Sequence, residues 1–519
     1  MEYLRLSSFV EASLSTRNVL ASSFVALVTY LLYSLVADNK SIPGFEIAGK
    51  EPGEWTNAKA RRRFMTNAKG VLENGFKQAK NNIFQVIAAS GPELILPVRY
   101  LDEIRNHPHM DLKGLMKADF FTNYDAFSAM GIGEKGNVVT NMVNRKLTTS
   151  LVLITAPVNE ETNIALQNFF PPTKEWTPTQ FGTRAQDVIS QVSSRIFLGV
   201  PLCRNPEWIK IAKDFTVELM LATYSMRYTP SILRPLLYYF LPPVNKLKRT
   251  IKVAKAIIEP EVKERRRLRN EALARGEVLP KTLDAIEWMD DVARDDGIKD
   301  FDTVEGQLGL SLAAIATTSS TVNHLMYDII DNPELIPELR KEIIAVMEEG
   351  QGWQKTSLYK LKLLDSVMKE SQRINALGVV TMTRIVHKES TLSDGTVLPK
   401  GVRFSVPSLH MTDPEYWPNP NTFDGKRFLK LRELPGNTNK FQFATTTADH
   451  IGFGHGKHAC PGRFFASNEL KIMICHLIMK YDWKFKENKR PETLGVFNER
   501  IADPMAELLY KSRVSEVDF

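Results

Sequence analysis

Cysteine is nearly absent from this chain. Its 519 residues include only three cysteines, Cys203, Cys460 and Cys475. Three thiols do not build the disulfide framework on which small secreted domains depend, so the sequence excludes that class of protein. The low count also favours a reducing compartment for the folded body.

The body of the chain also lacks a Gly/Ser-rich or Pro-rich linker, an internal repeat and a low-complexity run. Length alone would suggest about three domains, but without a linker one large folded unit is the better prediction. The net charge of +7 is modest, and the 67 lysines and arginines are scattered rather than clustered. Nucleic acid is therefore not predicted as a partner.

One long apolar run stands near the N-terminus. Residues 19–37 are 19 uncharged, mostly apolar residues, which as a helix would span about 28 Å, close to the roughly 30 Å hydrocarbon core of a bilayer. The sequence thus predicts a short tail over residues 1–18, a transmembrane anchor over 19–37, a linker over 38–57 and a folded domain over 58–519.

Two other interpretations of this run are a cleaved signal peptide and a buried helix. No small-x-small cleavage site follows it, and the cysteine count does not suit secretion. Basic residues soon after the run, Lys59 and Arg61 to Arg63, favour a cytosolic body. A second apolar stretch, Ile232–Leu241, is too short and too interrupted by proline to span a membrane, and the sequence suggests that it dips into the bilayer surface.

The most informative stretch of the chain is Phe453–Gly462, in which three glycines surround Cys460 and a helical pattern begins directly afterwards. Glycine allows tight turns and close approach of the backbone to a bound group. The unpaired N–H groups at the start of the following helix favour a deprotonated sulfur. Pro461 suits the start of a helix, where a missing N–H costs least. The alternative is a buried free cysteine behind a glycine turn.

Five positions of this stretch resemble the haem-ligand loop of the cytochrome P450 family, Phe-x-x-Gly-x-Arg-x-Cys-x-Gly. They are Phe453, Gly456, His458, Cys460 and Gly462. The sequence departs from the pattern at His458, where most members have arginine. The resemblance implies a mainly α fold with small β-sheets, one large haem domain behind the N-terminal transmembrane helix, haem b as cofactor and Cys460 as the axial ligand of its iron.

A second chemical site is predicted on a long apolar helix, where a run of hydroxyl residues starts at Thr317 and Thr318. It resembles the family's oxygen-activating motif, Ala/Gly-Gly-x-Asp/Glu-Thr, and this implies a catalytic role for both threonines. Ala314 replaces the glycine of that motif and Ala316 replaces the acid, so proton delivery would fall to water held by a threonine hydroxyl. The alternative is ordinary bonding of the hydroxyls to carbonyls of their own helix.

Further residues are assigned through the same resemblance. Glu370 and Arg373 resemble the family's Glu-x-x-Arg, and Arg427 matches the arginine that joins them, which implies a structural role for the three. On their own, Glu and Arg three apart on a helix usually form a surface pair. Arg384 and Arg145 fall at positions where the family keeps basic residues for the haem propionates, although the aromatic or histidine residue that usually precedes the latter is absent.

The pattern also predicts local elements. Strands are expected at residues 84–88 and 94–98, forming a small sheet, and a hairpin with an Asp394-Gly395 turn is expected at 392–397. Between the hydroxyl-rich helix and Cys460, residues 377–383 are expected to run past the haem.

The resemblance implies a monooxygenase that inserts one atom of O2 into a hydrophobic small molecule, with electrons from a separate NADPH-cytochrome P450 reductase. It also implies an endoplasmic-reticulum membrane protein, single-pass, with a cytosolic catalytic domain. Basic residues around the cysteine helix offer a docking site for the reductase, with ordinary solvated side chains as the equal alternative: Lys457, Arg463, Lys471 and Lys480.

The details of the stretches 453–466, 313–319 and 202–205 resemble ascomycete members of secondary metabolism that oxidise gibberellins, indole diterpenes and related scaffolds. A polycyclic terpenoid or indole-terpenoid substrate is therefore expected, with a non-terpenoid alkaloid or a polyketide as the alternative. Two other classes stay open: a haem-thiolate isomerase or dehydratase that needs no external electrons, and a haem protein that binds a ligand without catalysis.

Overall fold

The structure is a computed structural model that describes residues 21–25, 29–30, 40–131, 136–277, 281–350, 352–353, 355–496 and 498–519. Most of the predicted anchor, residues 19–37, lies outside these ranges; residues 21–25 and 29–30 are helical. Within the described ranges, no helix is both long enough and apolar enough to cross a membrane.

The fold is mainly helical, as the sequence predicted. The α-helices are α1 (Ala58–Thr66), α2 (Ala68–Gln78), α3 (Leu101–Ile104), α4 (Lys113–Phe120), α5 (Val138–Met142), α6 (Leu151–Phe169), α7 (Phe181–Phe197), α8 (Pro206–Tyr228), α9 (Arg234–Leu237), α10 (Pro242–Ala274), α11 (Ala285–Asp295), α12 (Thr303–Asp331), α13 (Leu335–Gly350), α14 (Lys355–Lys360), α15 (Lys362–Ile374), α16 (Arg427–Glu433) and α17 (Arg463–Lys480). Short 3₁₀ turns and one π-helical turn, Val143–Leu147, join several of them.

The strands form small sheets at the edge of the helical body. They are β1 (Phe84–Ala88), β2 (Gly91–Ile95), β3 (Met110–Asp111), β4 (Thr177–Gln180), β5 (Val380–Val386), β6 (Ser390–Thr391), β7 (Val397–Leu398), β8 (Arg403–Pro407), β9 (Tyr481–Phe485), β10 (Thr493–Val496), β11 (Glu499–Ala502) and β12 (Glu507–Ser512). The largest sheet has the order β1-β2-β8-β5-β3, with β2 and β8 parallel. The others are β4-β12-β9 and the pairs β10-β11 and β6-β7.

Helix α12 forms the centre of the body. Its N-terminus is capped by Asp302, whose side chain accepts hydrogen bonds from the backbone N–H groups of Val304 and Glu305. Most of its length is buried, and it packs against α7, α8, α15 and α17. A helix enclosed in this way has few positions at which a side chain reaches open space. Those positions are the candidates for contact with a bound group.

The local predictions can be compared with this fold. Strand β1 has the predicted bounds, but β2 ends at Ile95 rather than at residue 98. Its end follows from Pro97, which has no N–H to donate to a ladder and precedes a 3₁₀ turn. The predicted hairpin is present as β6 and β7, and Leu392 N–H donates to Thr396 O across its turn at 2.8 Å.

Part of the segment predicted as a linker packs onto the domain. Ile47 pairs with Gln85 of β1. The Gln85 side chain also bonds the backbone of Ile42, accepting from its N–H at 2.9 Å and donating to its carbonyl at 2.8 Å. Residues from Ile42 onward are therefore held by the sheet.

Candidate active site

The cysteine loop is closed by its own backbone. It passes through a 3₁₀ turn, Gly456–His458, and leads into helix α17. Cys460 N–H donates to Phe453 O at 2.8 Å, and the Phe453 ring lies edge-on to Phe443 with 5.1 Å between ring centroids. The loop thereby presents Cys460 directly before the first turn of α17.

Two opposing effects act on the charge of the Cys460 sulfur. Burial raises the pKa of its thiol, and the backbone N–H groups of Gly462 and Arg463 and the charge of Arg463 oppose that rise. The Arg463 guanidinium donates to Cys460 O at 2.7 Å. A partly exposed cysteine with amide donors at a helix N-terminus is the arrangement that suits a thiolate ligand.

The tight turn before the cysteine requires glycine. Gly456 has φ +78°, and a Cβ built there would lie 2.6 Å from Arg105 O. The same segment holds the loop from outside: the Arg105 guanidinium lies 2.8 Å from His455 Nε2, and Lys457 N–H donates to Asn106 Oδ1 at 2.8 Å. Sequence reasoning missed this brace because residues 105 and 106 belong to no motif.

Met382 contacts the cysteine loop in a way that the sequence did not predict. Met382 is buried at φ +57°, in the left-handed region that a methionine rarely adopts. Its sulfur accepts a hydrogen bond from His455 N–H at 3.1 Å. The pairing of β5 with β8 shifts register between Thr381 and Arg384, and this bulge fixes the direction in which Arg384 leaves the strand.

Arg384 and His458 carry buried nitrogen donors, and the described chain places no carboxylate in contact with them; one Arg384 nitrogen donates to Met382 Sδ at 3.9 Å. The buried Arg384 guanidinium donates to Thr383 O at 2.8 Å, and within the described chain it has no carboxylate partner. Burial lowers its pKa to about 10, against the attraction of Asp111. His458 Nε2 is buried without a hydrogen-bond partner, and burial, followed by the nearby Arg384, lowers the pKa of this histidine to about 4. These groups fit an anion, such as a haem propionate.

Arg145 has a different environment from Arg384. It lies in the π-helical turn Val143–Leu147, and its side chain is 54% exposed. Its guanidinium pairs with Asp296 at 2.8 Å. The hydrogen bonds and ion pair of Arg145 do not join it to the cysteine loop, so the structure does not bring it together with Arg384 and His458.

The two predicted threonines of α12 lie on different faces. Thr317 is exposed, as is Ala313 one turn earlier, although most of the helix around them is buried. The Thr317 hydroxyl donates to Ala313 O at 2.9 Å, the helix bonding that the sequence left as an alternative. Thr318 is buried. Of these two threonines, only Thr317 therefore presents its hydroxyl to open space.

Comparison with known proteins decides which family has this site. The family description that matches is cytochrome P450, over residues 107–499. The chain belongs to the cytochrome P450 family.

Relatives of this P450 support the same assignment over nearly the whole chain. It is 37% identical over 499 residues to the cytochrome P450 monooxygenase adrA of Penicillium rubens, covering 95% of this chain and 96% of the relative. It is 40% identical over 433 residues to hepE of Aspergillus oryzae, covering 83% and 79%. The chain is therefore a P450 monooxygenase, an oxidoreductase, whose family uses haem iron with an axial thiolate.

The fold of this P450 is shared with a distant structure. The retinoic acid-bound cyanobacterial CYP120A1 superposes with a TM-score of 0.64, covering 87% of this chain and 96% of that one. Sequence identity between the two is 17%, so this likeness concerns the fold alone.

The predicted Glu370–Arg373–Arg427 cluster is present in the core of the P450. Glu370 accepts from Arg373 Nε at 2.8 Å and from Arg427 Nε at 3.0 Å. Both Glu370 and Arg373 are fully buried. The arginines also donate to backbone, Arg373 to Met411 O and Arg427 to Pro418 O. The arrangement is a buried structural network, not a surface pair.

The predicted basic docking surface around α17 does not include Lys471. Lys471 is buried, pairs with Asp365 at 2.6 Å and donates to Leu358 O. Its place in the core follows from the burial of α17 on all sides between Glu469 and Met479. Lys480 is half-buried and donates to Asn163 Oδ1 at 2.6 Å, and Lys457 Nζ donates to His107 O at 2.8 Å.

Proposed function

We propose that Cys460 is the axial ligand of a haem b iron and that this P450 is a monooxygenase of fungal secondary metabolism. The observation that carries the proposal is the Cys460 sulfur, which receives backbone N–H donors from Gly462 and Arg463 at the start of α17. Haem with an axial thiolate supplies the oxidising power to insert one atom of O2 into a C–H bond.

The other residues of the loop would shape the haem site. Gly462 would leave room for close approach of the macrocycle, Gly456 would hold the turn against Arg105, and Phe453 would shield the sulfur from water. Arg384 and His458 would bind a propionate, since within the described chain the Arg384 guanidinium donates only to Thr383 O and weakly to Met382 Sδ, and His458 Nε2 has no partner. Arg145, paired with Asp296, is the weaker candidate for that role.

Arg384→Met is expected to loosen the haem, because it removes a buried charged donor from the propionate. We expect haem transfer from the purified protein to excess apomyoglobin to speed up roughly tenfold. Arg145→Met is the matched control and should transfer haem at the wild-type rate. Equal acceleration in both variants would place the propionate contact elsewhere.

Thr317 is the proposed proton-handling group. Its hydroxyl donates to Ala313 O in the structure, and because the hydroxyl is exposed, its lone pairs face the open side of α12. An Oγ1 bonded in this way accepts a hydrogen bond from a water molecule and orients it, so that the second hydrogen of that water is free to be donated toward the reacting centre. No acid stands at position 316, so a water held by Thr317 would replace that side chain.

Thr317→Ala is expected to uncouple the enzyme. With the reductase and a lipophilic compound that the wild type oxidises, product per NADPH should fall roughly tenfold or more, and hydrogen peroxide should rise in proportion. Thr317→Ser should restore coupling. Thr318→Ala, a change at the buried neighbour, should leave it unchanged; an equal loss in Thr318→Ala would contradict the assignment to Thr317.

The proposed substrate is a polycyclic terpenoid or indole-terpenoid, with a non-terpenoid alkaloid or a polyketide as the alternative. The support is the fungal origin of relatives at 37% and 40% identity together with the resemblance of the loop and α12 to ascomycete members. Feeding members of these compound classes to a host that expresses the protein and a reductase tests the choice. Oxidation of a polyketide alone would favour the alternative.

The proposed electron donor is a membrane-bound NADPH-cytochrome P450 reductase, and the proposed location is the endoplasmic-reticulum membrane. The apolar run at 19–37 supports the location, and so do exposed apolar side chains at and beside α9: Ile232, Leu236, Tyr239 and Phe240. Fractionation of expressing cells and turnover with and without NADPH test both points. Turnover that needs no NADPH would indicate an isomerase or dehydratase instead.

A further inference from the structure

Glu499 is a carboxylate without a partner in an unusual place. It is the first residue of β11, opposite Val496 in the β10-β11 hairpin. Within the part of the chain that the structure describes, its carboxylate makes no hydrogen bond or ion pair. Glu492, near the other end of the hairpin, has Lys489 at 3.9 Å.

The surroundings of Glu499 are those of an internal cavity. Its side chain is exposed to solvent, although its backbone is attached to the centre of the fold: the carbonyl of the next residue, Arg500, lies 3.3 Å from Nε2 of the buried His324 on α12, and Glu499 itself forms a β-bridge with Gly378. An exposed side chain on backbone held in this way faces a space that solvent enters but protein encloses. Desolvation, which raises the pKa of this carboxyl with no basic group opposing the rise, agrees with that placement.

The backbone around Glu499 is attached to the segment that leads into β5. Asn498 O accepts from Val379 N–H at 2.7 Å, and Arg500 N–H donates to Leu377 O at 2.8 Å. The segment continues into Met382 and Arg384. Glu499 is thus held against the wall from which the proposed haem contacts arise.

Helix α12 relates Glu499 to Thr317. His324 Nε2 lies 3.3 Å from Arg500 O. Thr317, Thr321 and His324 are spaced by four and three residues and therefore share one face of the helix. Residue 500, and Glu499 beside it, lie about 10 Å along α12 from Thr317, two helical turns away.

We propose that Glu499 is a specificity-determining residue that accepts a hydrogen bond from a hydroxyl or a protonated amine on an otherwise hydrophobic substrate. The proposal rests on the proposed monooxygenase function of the same site. An enclosed, unpaired carboxylate costs free energy that a bound donor recovers. A site built to bind such a donor rejects analogues that lack it. With the donor held there, the rest of the substrate would extend along α12 toward Thr317.

The test uses ligands anchored at the haem iron, so that it does not depend on turnover. The probes are N-octylimidazole and its analogues with a terminal hydroxyl or a terminal amine. The imidazole nitrogen coordinates the iron and shifts the Soret band, and titration of that shift gives the Kd of each probe for the haem-loaded protein. An extended octyl chain is comparable in length to the rise of α12 between Thr317 and His324, about 10 Å.

We expect the wild type to bind the hydroxyl and amine probes roughly tenfold more tightly than N-octylimidazole. Glu499→Leu should abolish both preferences. Glu499→Gln should keep the hydroxyl preference and lose that for the amine. The control Glu492→Gln should behave as the wild type. Equal affinities in the wild type, or unchanged preferences in Glu499→Leu, would overturn the inference. A protein that gives no Soret shift with any probe would instead overturn the haem site itself.

Discussion

Cys460→Ser is expected to abolish the thiolate signature of the haem protein. A serine hydroxyl is a far weaker ligand than a thiolate. The variant would therefore lack the electron donation from sulfur that favours O–O cleavage. The fold should survive, because the loop is closed by the backbone bond from residue 460 to Phe453 O and by the Arg463 contact to the carbonyl of residue 460, neither of which needs the sulfur. Turnover with reductase and NADPH should fall below detection.

The other two cysteines provide the controls. Cys203 and Cys475 are fully buried, and burial raises the pKa of both thiols, so they remain neutral. Cys203→Ala and Cys475→Ala should keep the spectrum of the carbon-monoxide complex, with at most a small loss of stability. A wild-type spectrum in Cys460→Ser, or loss of that spectrum in Cys475→Ala, would show that Cys460 is not the iron ligand.

Glu370→Gln is expected to cost the protein much of its stability. The carboxylate balances two buried guanidinium groups, those of Arg373 and Arg427. An amide leaves both charges uncompensated, and breaking a buried ion pair in this way costs about 3–5 kcal/mol, against a total stability of about 5–15 kcal/mol for a folded domain. We expect little folded, haem-containing protein from expression and a large drop in the urea midpoint of what remains.

Glu338→Gln is the matched control for that change. Glu338 pairs with Lys426 at 2.7 Å, but both side chains are exposed, and surface pairs contribute about 0–1 kcal/mol. Its urea midpoint should stay near that of the wild type. Equal midpoints for Glu370→Gln and Glu338→Gln would mean that the buried network is not what holds this region together.

The sequence identified the residues within the cysteine loop, but not the residues elsewhere in the chain that hold the loop in place. Phe453, Gly456, Cys460 and Gly462 lie within ten residues, so their spacing carries the pattern directly. The residues that hold the loop, Met382 and the segment at Arg105, come from distant parts of the chain. No local pattern indicates them, because their role depends on which elements the fold brings together.

Helical phase explains one further difference between expectation and structure. Thr317 and Thr318 are neighbours in sequence, yet a step of one residue turns a helix by about 100°, which buries one hydroxyl and exposes the other. Lys471 differs for another reason: α17 is buried on all sides between Glu469 and Met479, and Asp365 compensates the lysine charge inside the core. A lysine predicts an exposed charge by default, and the sequence does not show how completely the fold encloses its helix.

The most direct test of the haem-thiolate assignment is the carbon-monoxide difference spectrum of the dithionite-reduced protein in membranes from cells that express it. With Cys460 as the axial ligand, we predict a strongly red-shifted Soret band that disappears in Cys460→Ser and persists in Cys475→Ala. A folded protein that contains no haem, or a reduced complex whose Soret band is not red-shifted, would contradict the central claim.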